Sequence, residues 1–467
     1  MAGRLTRKAM AVLCCISLID CINFTMLNPY VDELVAHVLD KPPGDPGISI
    51  YVSILVGSYA LCEVLFSPMW GLLADKFGRR PVLLTGLAGS AVSSVLLGLA
   101  DSYPTALGAR LLDGFFCGNE CVANTYLGEL VDSDNEAQAF GTLGAVFSFG
   151  LFLGPMLGGG LAHPAGWEPQ LFADTFFERH PFLLANLLFA VLVTAVFALG
   201  LVALPETRRN GQDANLLQDT EGGGARRLGH LLPQGRKLRQ LLIASSLLSG
   251  YVAARLNSFI LVSSLPRTLH GLAISSHQLA CIQACAAVML ALNQVTCYTC
   301  LVNRAGNHAS YALGLLWTIV VTLPMPLYYM AEQHQSTFWR LLPITLWQAT
   351  SQLGFGIAFP ICTVLVNKEC SAHNRAVVNG WCGSLNALAR GLGPEAAGAL
   401  VHVGCALETW DHRLGRYLGF YVNLIPASVS AVLVLRQRTG TSASECPWQR
   451  RSAAAEAEGE ACELGGR

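Results

Sequence analysis

The chain has 467 residues, of which 52% are hydrophobic and only 13% charged, with a formal net charge of -1. Soluble domains carry charge at about a quarter of their positions, so a water-facing globule is excluded, and a near-zero net charge offers nucleic acid no handle. In chain order, about twelve apolar stretches follow, each long enough for the roughly 20 helical residues that a bilayer requires. They fall at 9–35, 49–73, 81–100, 104–128, 138–162, 181–204, 239–264, 277–301, 309–330, 339–366, 376–404 and 416–436. Each is apolar on every face rather than in alternation, which predicts helices, the class hydrocarbon accepts without a closed barrel.

Lysine and arginine concentrate in alternate connections. Arg4, Arg7 and Lys8 precede the first span, Lys76, Arg79 and Arg80 follow the second, and Arg208, Arg209, Arg226, Arg227, Arg236, Lys237 and Arg239 follow the sixth. The opposite connections hold only Lys41, Arg179, Arg267, Arg340, Arg413 and Arg416. The positive-inside rule therefore predicts both termini in the cytoplasm, with only the acidic loop Val131–Glu136 running against it. The connection at 205–237 contains Gly222, Gly223 and Gly224 and reads as a flexible linker, and the Ala-, Glu- and Ser-rich tail reads as disordered. The organisation expected is thus a first group of six spans (1–204), a linker (205–237), a second group (238–437) and a tail (438–467). The first apolar stretch has no small-residue cleavage site and runs into Pro29, so no cleavable leader is expected.

The two groups echo each other. Asp75-Lys76-Phe77-Gly78 returns as Asn303-Arg304-Ala305-Gly306, Gly154-Pro155 as Gly393-Pro394, Glu129 as Glu369, and Pro29 as Pro266. Each match joins equivalent spans at nearly the same separation, the pattern of an internally repeated transporter.

Ionisable groups inside a bilayer are costly and mark function by default. They are Asp20 in span one, Glu63 in span two, Arg110, Asp113 and Glu120 in span four, Arg255 in span seven, and Arg390 and Glu395 in span eleven. Arg110, Asp113, Cys117, Glu120 and Asn124 recur every three or four residues, which aligns them on one helical face. Two readings stand for that stripe: a buried ion pair between Arg110 and Asp113, or the lining of a substrate or proton path. Asp20, with Asn23 one turn away, is either a proton carrier or the partner of an arginine on another helix. Glu63 has the same two readings, with a packing role between spans two and eleven favoured.

Between spans two and three stands Gly71-Leu72-Leu73-Ala74-Asp75-Lys76-Phe77-Gly78-Arg79-Arg80-Pro81, a compact charged turn in which Gly78 permits the reversal. Span five carries Gly150-x-x-x-Gly154-Pro155-x-x-Gly158-Gly159-Gly160, small residues that let helices approach closely, with a proline that kinks the helix. The first string closely resembles the loop signature of the major facilitator superfamily of secondary transporters, and the second resembles the helix-five signature of its antiporters. Arg110-x-x-x-Gly114, Leu204-Pro205-Glu206-Thr207-Arg208, His180-Pro181-Phe182-Leu183-Leu184-Ala185-Asn186 and Ala387-Leu388-Ala389-Arg390-Gly391-Leu392-Gly393-Pro394 are similar to the zinc-induced-facilitator-like and fungal multidrug members of the drug:proton antiporter group. The resemblance covers about residues 10–436. Two departures are that no arginine stands near Glu136, where many relatives carry one, and that Asn303–His308 lacks the aspartate of its counterpart.

The resemblance implies an all-α membrane protein of the major facilitator fold, with 12 transmembrane helices in two pseudo-symmetric six-helix bundles around a cavity lined by spans one, four, seven and ten. It implies a proton-coupled antiporter that exports a small organic solute, drug-like compound or metal chelate. Asp20, Glu120 and Asp113 would exchange protons, Arg110 and Arg255 would tune those carboxylates or hold an anionic group of the solute, and Asp75, Arg79 and Arg80 would latch the halves. The alternatives are a uniporter or symporter of a sugar-like or organic-anion solute, and a non-transporting sensor. The expected partners are the solute, protons and the lipid of a plasma or vacuolar/endosomal membrane, with the chain acting as a monomer. No cofactor is implied. The 11 histidines show no metal spacing, the 16 cysteines lie mostly in apolar runs where thiols pack as small hydrophobes, and no enzyme or nucleotide motif is present.

Overall fold

The computed structural model describes residues 2–119, 122–123, 126–127, 136–205, 235–266, 273–325, 337–369, 375–406 and 415–438. The linker, the tail, Glu120, Asn124 and the Asp75 side chain lie outside the described residues. Twelve long helices stand where the spans were expected: α1 (Ala2–Met26), α2 (Ser49–Phe77), α3 (Arg79–Gly98), α4 (Tyr103–Phe116), α5 (Glu136–Leu161), α6 (Leu183–Ala203), α7 (Arg236–Ser264), α8 (Ser276–Asn293), α9 (Thr299–Thr322), α10 (Thr337–Lys368), α11 (Arg375–Ala406) and α12 (Leu418–Arg438). No strand occurs among the described residues. Eight of these helices are long and apolar enough to cross a membrane, and α5 adds a shorter apolar stretch, Phe149–Leu161. Their outward faces carry exposed Leu65, Leu72, Val92, Val191, Val202, Leu316 and Ile425, a surface suited to hydrocarbon rather than water.

The packing repeats. In the first half α1 packs on α5, α2 on α4, α3 on α4 and α3 on α6; in the second α7 packs on α11, α8 on α10, α9 on α10 and α9 on α12. The halves meet along two seams, α2 against α11 and α5 against α8. The all-α membrane fold with two pseudo-symmetric bundles is therefore as expected.

The α2–α3 turn shows why its sequence is so constrained. Gly78 alone joins the two helices, at φ 104° and ψ 159°, a backbone state that disfavours residues bearing a Cβ. Its N–H donates to the Ala74 carbonyl at 3.0 Å. Arg79 Nη1 donates to the same carbonyl at 2.9 Å, and Arg80 Nη2 donates to the Leu201 carbonyl at the end of α6 at 2.6 Å. Two arginines thus satisfy carbonyls that helix ends leave open. Gly306 interrupts α9 at φ 77° and ψ 165°, nearly the same conformation, so the sequence echo is also a conformational one. It also explains why the expected start of span nine at 309 falls inside α9: a short turn of helix precedes the Gly306 kink.

Span four departs from expectation in another way. α4 opens on Ser102 and Thr105, whose side chains cap one another's backbone, as a helix start requires. It ends at Phe116, and Cys117 turns out of the helix at φ -76° and ψ 54°. The single continuous face drawn from Arg110 to Asn124 is therefore interrupted at its middle.

Candidate proton and substrate site

Asp113 sits at the centre of the first half. Arg110 and Asp113 are one turn apart on α4, and Arg110 Nη1 lies 3.0 Å from Asp113 Oδ2. Both are buried. Asn23 Nδ2, from α1, donates to both Asp113 oxygens at 3.0 Å, and Ser93 Oγ, from α3, donates to Oδ1 at 3.1 Å. Three helices are thus tied to one carboxylate, which has a cation and three hydrogen bonds from two neutral donors to offset burial. Arg110 also lies over the Tyr59 ring of α2, 4.7 Å from its centroid, and the Tyr59 hydroxyl bonds the Cys117 sulfur at 2.6 Å. A small cavity of about 10 Å³, with Met26, Leu27 and Leu97 on its apolar side and Asn23, Arg110 and Asp113 on its polar side, has room for one water.

Asp20 lies half-buried on α1, and Glu63 lies on α2. Glu63 reaches across the α2–α11 seam: both of its oxygens lie 3.1 Å from Arg390 Nη2. Arg255 stands apart from this group, on α7. Its Nη1 donates to Gln348 Oε1 and Ser351 Oγ of α10, each at 2.9 Å.

The α5 glycines govern helix approach. A Cβ on Gly150 would meet the Cys21 Cβ at 2.6 Å, one on Gly154 would meet Thr25, and one on Gly158 would meet the Met26 carbonyl oxygen. Gly159 faces α8 instead, where a Cβ would meet the Ser276 carbonyl oxygen at 2.5 Å. Pro155 lies within α5. Gly71 has open space beside it.

Sequence reasoning passed over several groups. Tyr59, Ser93 and Asn186 are neutral and so gave no charge signal, although Asn186 stands in the His180–Asn186 string already noted. His163, Asp32 and Glu33 build a second polar cluster at the end of the bundle opposite the Gly78 turn. The Val31–Val38 helix follows α1 after a turn and presents Glu33, whose carboxylate pairs with His163 Nε2 at 2.9 Å and accepts the Ser276 N–H, at the start of α8, at 2.9 Å. Burial raises the Glu33 carboxyl, but the His163 bond and charge and the Ser276 N–H outweigh it and hold it below the usual glutamate range. Asp32, buried beside it, accepts the Gly44 N–H at 2.9 Å. Nearby, His402 Nδ1 of α11 contacts the Pro46 carbonyl at 3.0 Å and Asn257 Nδ2 of α7 donates to Ser53 Oγ of α2 at 2.8 Å. Cross-half bonds cluster at this end.

Burial pushes the Asp32 carboxyl up to about 7. A carboxyl raised in the folded state stabilises that state below its unfolded value, and the contribution fades as pH climbs through the folded value. Glu33 works the other way, but only near and below its ordinary acid range. Asp32→Asn keeps an oxygen for the Gly44 N–H and removes the titration. It is expected to flatten the fall in melting temperature between about pH 4 and pH 7, and to raise the melting temperature above that window. A slope identical to that of the wild type in detergent-purified protein would refute this assignment.

Among the described residues no group of three His, Cys, Asp or Glu side chains is placed to hold a metal ion. Comparison with known proteins places the fold. The profile of the Major Facilitator Superfamily matches residues 13–394. The Arabidopsis thaliana protein ZINC INDUCED FACILITATOR-LIKE 1 is 28% identical over 416 residues, 83% of each chain. The multidrug transporter mfsB of Aspergillus fumigatus is 34% identical over 202 residues, so the match spans 43% of this chain and 33% of that protein. A bacterial homolog of the human lysosomal transporter Spinster, in an inward-facing and occupied conformation, superposes with a TM-score of 0.69 at 15% identity, covering 94% of this chain and 98% of that one. With a profile match over most of its length and the two-bundle architecture described above, the chain belongs to the major facilitator superfamily, whose members are membrane transporters rather than enzymes.

Proposed function

We propose that this transporter is a proton-coupled antiporter that exports a small organic solute, drug-like compound or metal chelate, rocking its two halves about a central site. The observation that carries this reading is the pair of carboxylates held at membrane depth, Asp113 by Arg110 and Asn23 in the first half and Glu63 by Arg390 across the seam. A mid-membrane carboxylate is costly unless it works, and one of these already spans the seam to Arg390. The relatives described above, a multidrug transporter and a zinc-induced facilitator-like protein, point the same way. In this reading Asp20, Asp113 and Glu120 carry protons, Asn23 and Arg110 hold Asp113 in place, Asn124 lines the path, and the Glu63–Arg390 pair opens as the halves rock. The cluster at Glu33, His163 and Ser276 is the external gate, with the Gly78 turn and both termini on the cytoplasmic side of a plasma or vacuolar/endosomal membrane. The chain acts as a monomer.

The test is reconstitution in liposomes loaded with a pH dye, with an imposed pH gradient and solutes added in turn. Proton movement triggered by one solute class is expected, and it should vanish in Asp20→Asn and Glu120→Gln while both express normally. Full coupling in both variants would sink the reading, and solute flux without proton movement would replace it with uniport.

A further inference from the structure

The geometry points to Arg255 as the residue that holds an anionic group of the transported solute, a carboxylate, sulfonate or phosphate, together with Gln348 and Tyr251. This deepens the transport reading above and rests on it. Arg255 is 3% exposed. It donates to Gln348 and Ser351, both neutral, and among the described residues no carboxylate lies within ion-pair distance of it. Its guanidinium carbon lies 5.9 Å from the centroid of the Trp347 ring, a contact that cushions the cation without neutralising it.

The internal repeat makes the imbalance visible. Gln348 and Ser351 on α10 stand 238 residues after Arg110 and Asp113 on α4, with the same three-residue spacing. In the first half that pair is a cation and an anion, bonded to each other and to Asn23 of α1. In the second half the same two positions are neutral, and the cation comes instead from α7. One half closes its charge account internally; the other keeps a buried positive charge with no anion among the described residues.

The surrounding atoms share that bias. Gln348 Nε2 is buried without a hydrogen-bond partner, and so is the Tyr251 hydroxyl, one turn before Arg255 on α7. Tyr251 lies beside Thr322 but outside hydrogen-bond geometry, and its four-residue spacing puts it on the same face of α7 as Arg255. The Gln348 amide N–H and the Tyr251 O–H lack acceptors, and beside a guanidinium whose bonds go only to neutral groups they are what an anion would satisfy at once. Buried donors without partners are costly, so a ligand that supplies the missing acceptor recovers that cost on binding. A cationic or neutral solute leaves it in place.

The experiment uses the purified full chain and four matched probes: 2-naphthoate, naphthalene-2-sulfonate, methyl 2-naphthoate and (2-naphthylmethyl)ammonium. The two anions are expected to raise the melting temperature of the wild-type protein, and the ester and the ammonium are not. Arg255→Gln should weaken the anion-induced shift by roughly thirtyfold or more in affinity, as loss of one member of a buried charged contact does, with Arg255→Lys intermediate. An equal shift from the ester or the ammonium overturns the assignment, and so does an Arg255→Gln variant that binds the anions as the wild type does. The wild-type comparison needs no variant to fold. Failure of the antiport reading is separate: it would show as anion flux without proton movement in liposomes, with the anion-specific shift intact. A shift from anionic lipid alone, with none from the soluble anions, would place a headgroup there instead of a solute and also overturn the assignment.

Discussion

Arg110→Met is expected to cost about 3–5 kcal/mol of stability, because it leaves Asp113 as a buried carboxylate without its counter-ion. Asn23 and Ser93 would still donate to that carboxylate, but neutral donors replace only part of what a guanidinium 3.0 Å away supplies. The same change strips the cation from the Tyr59 ring. The size of the effect is checked by a cycle. Arg110→Met and Asp113→Asn are made singly and together, and each is followed by fluorescence-detected thermal unfolding in one detergent. The double variant should be more stable than Arg110→Met alone, since removing both charges removes the unpaired one. If Arg110→Met unfolds at the wild-type temperature, the pair is not holding the first half together.

The second large effect is steric. Gly158→Val is expected to destabilise by about 3 kcal/mol, the upper part of the usual range for overpacking. The reason lies in what blocks the new side chain: at Gly158 a Cβ would run into the Met26 carbonyl oxygen, which is backbone and cannot turn aside. At Gly150 the nearest atoms, the Cys21 Cβ at 2.6 Å and the Leu18 carbonyl oxygen at 3.2 Å, stand farther off, so Gly150→Ala should cost less. Gly160 has nothing within 4 Å of its would-be Cβ, and Gly160→Ala serves as the control, with a change near zero. Equal melting temperatures for Gly158→Val and Gly160→Ala would show that α1 and α5 do not depend on this close approach.

Much of the architecture was legible because hydrophobic length and loop charge are strong signals in a membrane chain. The Gly78 turn could be placed from its string alone, and its degraded echo proved real at Gly306, since a positive φ leaves a glycine behind even where the charges around it have drifted. Charged residues were also easy to find, and Arg110 and Asp113 meet as one of the two readings of their spacing allowed. What the sequence hid was of two kinds. The end of α4 at Cys117 is marked only by Gly118, one of many glycines in these spans, so the break did not stand out. The polar partners that surround the charges, Tyr59, Ser93 and Asn186, are ordinary residues made important only by the packing of α2, α3 and α6 around α4. His163 carries no signal of its own because Glu33 lies 130 residues earlier, and only the fold brings the two together.

The seams between the halves have a mechanical consequence. Along α2 and α11, Gly57 lies against the Gly391 carbonyl, Gly391 against Leu61, and Gly398 against Ser53; along α5 and α8, Gly159 lies against the Ser276 carbonyl. Surfaces of this kind meet as smooth backbone rather than as interlocked side chains. Sliding one across the other requires few rotamers to change, so friction along the path should be low and evenly spread. The resistance is then concentrated in discrete polar catches, the Glu63–Arg390 bond midway and the Glu33–Ser276 bond at one end. A machine so built has its turnover set by the lifetimes of a few hydrogen bonds, and its speed can be retuned by single substitutions at the catches while the bearing surface stays untouched.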